Sequence, residues 1–157
     1  LGGERFSHGT AVRRSLDAGV GRVVQIGTRV LSREEAEFSD NDERVETWYA
    51  RDFMGVCDGQ AGWVALKERI AQIEGPVWLT FDVDGLDGSL VPDTGTPVPG
   101  GLSHWAAVEI IEDLFASSAE VIGVDVNEIV PGEDRLTQFN AALIATKMLV
   151  AHIASRN

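Results

Sequence analysis

One stretch constrains this chain more than any other: Val77-Trp-Leu-Thr-Phe-Asp-Val-Asp-Gly-Leu-Asp and its continuation to Leu102. Its apolar, β-branched and aromatic run stops at Asp82-Val-Asp-Gly, and a loop rich in glycine and proline follows. A strand that opens into such a loop is expected in a parallel sheet, where functional groups collect beyond the carboxyl ends of the strands. Residues two apart on a regular strand point the same way, so Asp82 and Asp84 are expected to converge while Val83 faces the opposite side. Two converging carboxylates suit a hard divalent cation such as Mg²⁺ or Mn²⁺, and added imidazoles shift the preference towards Mn²⁺, Zn²⁺ or other transition ions. The competing reading is a strand-end Asp that caps the next turn, and a third carboxylate at Asp87 counts against it. One pair does not complete a metal site.

Three further β-branched segments, Val23–Thr28, Val45–Tyr49 and Val121–Val126, alternate with helical patterns over Gly9–Asp17, Arg33–Phe38, Gln60–Ile73, Ser103–Phe115 and Gln138–Ser155. Strand alternating with helix predicts a mostly parallel sheet covered on both faces, within one domain. Ser103 is expected to cap its helix, with Glu109, Glu112 and Asp113 on the solvent side. In the last helix Phe139, Leu143, Met148, Val150 and Ile153 form a broad apolar surface suited to packing on a sheet. The charged stretch from Arg33 to Asp42 reads as a surface excursion. Four strands fall short of the roughly five or six of an average sheet, so further sequence is expected before Leu1.

With 13 basic and 25 acidic residues the formal charge is -12, which argues against nucleic acid or an anionic membrane surface as the main partner and suits a small cationic substrate. Cys57 is the single cysteine, so no internal disulfide forms, and a reduced, cytoplasmic setting is expected, with the thiol serving packing. No apolar run reaches the roughly 20 residues that cross a bilayer, and a soluble protein is predicted.

Several alternatives share parts of the acidic motif. A phosphatase-type Asp nucleophile and Asp acid need a hydroxyl-bearing turn, yet Leu86 stands there, and the only later lysine, Lys147, falls within a predicted helix. An Asp-x-Asp site for a metal-bound nucleotide sugar rests on a short and common motif. The loop from Thr94 to Gly101 lacks the Gly-Lys-Ser/Thr ending of a phosphate loop. Its glycines and prolines instead predict a rigid close-approach loop in which Thr96 offers a hydroxyl or backbone group to a substrate.

Phe81-Asp-Val-Asp-Gly-Leu-Asp followed by Pro92-Asp-Thr-Gly-Thr-Pro-Val-Pro-Gly-Gly-Leu resembles the second metal motif of the ureohydrolases, the arginase and agmatinase family. Phe6-Ser-His-Gly-Thr is similar to the family's histidine segment, Gln25-Ile-Gly-Thr-Arg to an intervening strand, and Gly123-Val-Asp-Val-Asn-Glu-Ile-Val-Pro to its late acidic strand. The resemblance spans nearly the whole chain. It implies a three-layer α/β/α fold, arginase-like and incomplete on the N-terminal side, with two Mn²⁺ ions and a metal-bridging hydroxide that attacks a guanidinium carbon to release urea and an amine. By the same resemblance Asp82 bridges both metals, Asp84 binds one, Glu128 engages the substrate guanidinium and His8 shuttles protons to the departing amine. His104 and His152 gain no such role.

Two departures from the family pattern carry consequences. The first metal motif, an Asp-Ala-His-x-Asp segment preceded by a histidine, does not occur, so its ligands are expected upstream of Leu1 and this chain alone is predicted to be inactive. Val30-Leu31-Ser32 replaces the acidic pattern that holds the amino-acid end of arginine, which favours agmatine or another guanidino compound over arginine. The resemblance also implies a homo-oligomer, a trimer or hexamer. The alternative from a different class is a non-catalytic ureohydrolase-like fragment or subunit with an assembly role.

Overall fold

The computed structural model describes residues 5–55, 59–133 and 135–156; Cys57 lies outside them. Among the described residues four strands form, β1 (Val23–Thr28), β2 (Val45–Tyr49), β3 (Glu74–Asp82) and β4 (Ser118–Asn127). All pairing is parallel, but in two separate pairs: β1 with β2, and β3 with β4. The described α-helices are α1 (Ala11–Asp17), α2 (Arg33–Asn41), α3 (Ala50–Met54), α4 (Gly59–Ala71), α5 (His104–Ala116) and α6 (Leu136–Ala154). The two strand pairs meet where β1 touches the 3-10 turn Val83–Gly85 that follows β3.

Side-chain caps set the starts of two helices. Ser32 and Glu35 form a reciprocal capping box at the start of α2, the serine oxygen accepting the Glu35 N–H at 3.2 Å and the Glu35 carboxylate accepting the Ser32 N–H at 2.6 Å. Ser103 caps α5 as expected, its hydroxyl accepting the Ala106 N–H at 3.1 Å. The acidic side of α5 is neutralised by lysines from its neighbours, Lys67 of α4 pairing with Glu109 and Asp113, and Lys147 of α6 with Glu112. Helix α3, only five residues long, escapes a periodicity reading because it is barely more than one turn.

The core lies on one side of the β3–β4 pair. Phe81 and Val83 face it, and Leu66, Ile70, Leu86, Val91, Ile111, Ile144 and Met148 fill it, all almost without solvent contact. The opposite face of the pair carries Trp78, which is 61% exposed. There the Trp78 indole donates to Asp125, and Thr80 and Asn127 also hydrogen-bond the Asp125 carboxylate.

Helix α6 corrects one expectation. Phe139, Leu143, Val150 and Ile153 are between 52% and 64% exposed, and of the expected apolar set only Met148 is buried. The packed stripe is Thr137, Asn140, Ala141, Ile144 and Met148, spaced three and four residues apart. Because α6 is apolar around most of its circumference, composition did not single out the buried side. No helix among the described residues is long and apolar enough to cross a membrane.

Candidate active site

The acidic motif is not one continuous strand. β3 ends at Asp82, and Asp84 sits in the 3-10 turn Val83–Gly85, so the two carboxylates converge through a turn rather than by strand alternation. The reason is local: the Asp82 carboxylate accepts the Asp84 N–H at 3.1 Å, and the Leu86 N–H closes the turn on the Val83 carbonyl at 3.0 Å. Val83 still points into the core, as the alternation argument required.

The loop beyond is held by backbone pairing. Leu86 and Leu102 form a parallel bridge, the Asp87 N–H donating to the Leu102 carbonyl at 2.9 Å and the Leu102 N–H to the Gly85 carbonyl at 3.0 Å. Gly101 permits this approach, since a Cβ there would stand 2.5 Å from the Leu86 oxygen. Asp87 is spent within the loop: its carboxylate accepts the Ser89 N–H at 3.0 Å and the Gly100 N–H at 2.7 Å, as well as the Ser89 hydroxyl. These donors draw its carboxyl well below the usual range, to about 2. Helix α6 anchors the loop's middle, through Asn140 donating to the Leu90 carbonyl at 2.8 Å and Thr137 accepting the Asp93 N–H at 2.9 Å.

The other candidates gather around Asp82 and Asp84. The Thr96 hydroxyl donates to the Asp84 carboxylate, so Thr96 touches the acidic pair directly. Glu128, immediately after β4, has φ of 60°, a left-handed conformation uncommon for a residue with a side chain. The Thr94 hydroxyl donates to the Glu128 carbonyl at 2.8 Å and holds that strained residue in place. His8, in the 3-10 turn before α1 and 120 positions away in sequence, places Nδ1 2.8 Å from the Glu128 Oε1.

Electrostatics bind these groups into one cluster. The Asp82 carboxyl is pushed up to about 6, first by partial withdrawal from water on its protein side and then by the negative charges of Asp84 and Glu128, against the pull of the Asp84 N–H. The His8 imidazole is raised above its ordinary value, first by its hydrogen bond to Glu128 and then by the charges of Glu128 and Asp82. The charges of Asp84 and Glu128 both bear on Asp82, and His8 pairs with Glu128, so acidic groups outnumber the one imidazole here. Hard oxygen donors match a divalent metal, and a carboxylate with a free edge matches a planar guanidinium. Among the described residues, however, no group of three or more His, Cys, Asp or Glu side chains is arranged to hold a metal ion.

The sequence and the fold both have counterparts among known proteins. A sequence model of the arginase family matches residues 1–153. The chain belongs to the arginase family. It is 35% identical over 147 residues to an agmatinase of Pyrococcus horikoshii, covering 94% of this chain and 47% of that protein. It is 33% identical over 156 residues to a guanidinobutyrase of Pseudomonas aeruginosa, covering 94% of this chain and 45% of that protein. The solved agmatine ureohydrolase of Thermoplasma volcanium superposes with a TM-score of 0.75 at 32% identity, over 99% of this chain and 50% of that one. The arginase-like α/β fold with parallel strands is thereby established, and the chain spans about half the length of the relatives it matches.

One further residue at the site escaped the motif reading. Arg29 lies in the family-like segment after β1, and its guanidinium reaches the carbonyls of Gly27, Asp84 and Gly85. The available signal was its place at a strand end next to a glycine; the partner 55 positions away was not visible in sequence.

Proposed function

We propose that the protein of which this chain is part hydrolyses a guanidino compound, agmatine or a close analogue, to urea and an amine with the help of divalent metal, Mn²⁺ by preference. The observation that carries this reading is the convergence of Asp82, Asp84, Thr96, Glu128 and His8 on one strand-end cluster. The names of the relatives, agmatinase and guanidinobutyrase, support the substrate class. On this reading the chain is the C-terminal part of a single catalytic domain, inactive until residues outside it complete the ligand set. When bound, the metal supplies Lewis acidity and a water-derived nucleophile at neutral pH.

The chain's own residues have distinct tasks. Asp82 and Asp84 hold the metal, and the upward shift of Asp82 makes it compete with protons for that ligand. Thr96 fixes the orientation of the Asp84 carboxylate. Glu128 accepts the guanidinium through charge-assisted hydrogen bonds and aligns its carbon for attack. His8, exposed and with its imidazole raised above the ordinary value by its hydrogen bond to Glu128, delivers a proton to the nitrogen that leaves as the amine when the carbon–nitrogen bond breaks. The test is urea release by the full-length protein, supplied with Mn²⁺, from a panel of agmatine, 4-guanidinobutyrate and arginine. Release from agmatine or guanidinobutyrate is expected, and silence across the panel overturns the reading. The shortfall of metal ligands favours a second reading, an assembly role without catalysis, under which Asp82 and Asp84 hold no ordered metal in the full-length protein.

A further inference from the structure

Strand β1 carries an irregularity at its end. Ile26 pairs with Trp48 and Thr28 with Tyr49, so Gly27 is an extra residue in the ladder, and it adopts φ of 94°. A bulge of this kind bends the strand and re-aims the side chains that follow it, and the left-handed φ favours glycine at its centre. The side chain at the re-aimed end is Arg29. Its Nη1 donates to the Gly27 carbonyl at 3.1 Å and to the Gly85 carbonyl at 3.2 Å, and its Nη2 donates to the Asp84 carbonyl. Asp84 and Gly85 close the 3-10 turn that presents the second carboxylate of the acidic pair. The Gly85 carbonyl also accepts the Leu102 N–H, so the same guanidinium braces the joint between the turn and the returning loop.

We propose that Arg29 is a positioning residue of the site: launched from the Gly27 bulge, its guanidinium clamps the Asp84 and Gly85 carbonyls and keeps the Asp84 carboxylate in register with Asp82. Thr96 holds that carboxylate at its oxygen, and Arg29 holds the peptide units beneath it. The clamp also ties the β1–β2 pair to the β3–β4 pair at the end where the candidate residues collect. It depends on fork geometry more than on charge, because a planar guanidinium satisfies two carbonyls at once from a fixed frame, whereas an ammonium offers one movable point. Its consequence for metal rests on the reading of Asp82 and Asp84 as ligands; the clamp itself needs no metal.

The experiment pairs two readouts on the full chain, with Arg29→Lys as the main variant and Arg29→Ala beside it. In metal-free protein, amide hydrogen exchange at Asp84, Leu86 and Leu102 is expected to speed up by about tenfold or more in Arg29→Lys, while core amides of α5 and α6 keep their protection. Mn²⁺ titration of the full-length protein is expected to show affinity weakened about 10–100-fold in Arg29→Lys, the range for residues that orient metal ligands, with an unchanged thermal midpoint. Loop amides that exchange at the wild-type rate in Arg29→Lys overturn the clamp. Mn²⁺ affinity equal to wild type in Arg29→Lys overturns its positioning role. Should wild-type protein bind no Mn²⁺, the metal reading of Asp82 and Asp84 falls, and the exchange rates alone decide the clamp, for or against.

Discussion

Asp82, the last residue of β3, and Asp87, in the loop that follows, lie five residues apart, and their surroundings are opposite. Asp87 is met by donors, the Ser89 N–H and hydroxyl and the Gly100 N–H, and its carboxyl falls to about 2. Asp82 is met by Asp84 and Glu128, and its carboxyl rises to about 6. A carboxylate with its own donors stabilises the fold and has nothing left to offer. One set against other carboxylates costs the empty fold stability and retains its affinity for a cation. The contrast separates the part of the motif that builds the loop from the part that equips it.

The largest expected effect comes from removing the cation-seeking side. Asp84→Asn should reduce urea release by the full-length protein at least about 100-fold, since metal binding contributes several kcal/mol to the transition state, while the denaturation midpoint of the metal-free protein holds or rises. A variant that loses stability and keeps activity would erase the distinction. Next in size is the loop-building side: Asp87→Ala should cost about 1–2 kcal/mol in urea denaturation at neutral pH, after allowance for its partial exposure.

Acid and base should pull the two residues in opposite directions. Asp87 has its folded value depressed from the ordinary 3.8, so its contribution is present above that value and disappears as pH falls through about 2. Asp82 has its folded value raised, so the metal-free fold is favoured below 3.8 and loses that contribution as pH rises through about 6. Stability curves of Asp87→Asn and Asp82→Asn against pH should each lack one of these slopes, and a single shared slope would show that the loop titrates as a unit. The smallest effect is at His8. Glu128→Gln should lower the His8 titration back towards its ordinary 6.5, read from its ring-proton NMR shift, because in wild type the charge-assisted His8–Glu128 pair is lost as pH rises through the elevated His8 value.

Sequence alone settled what depends on neighbours along the chain. Strands β1 and β2 fall on the expected residues, β4 on a longer version of its segment, β3 begins three residues before the expected Val77–Val83 and stops short of Val83, and Ser103 caps α5, because alternation, helical spacing and side-chain caps act over one to four positions. The acidic motif and its loop were recognisable for the same reason, as one contiguous run. Tertiary structure decided what depends on distant partners. It put His8 against Glu128 across 120 positions, turned Arg29 onto the Asp84 and Gly85 carbonyls, divided four strands into two pairs, and chose which side of an almost uniformly apolar α6 is buried. Those outcomes rest on which surfaces meet after the chain folds back on itself, and no periodicity within a single segment records them.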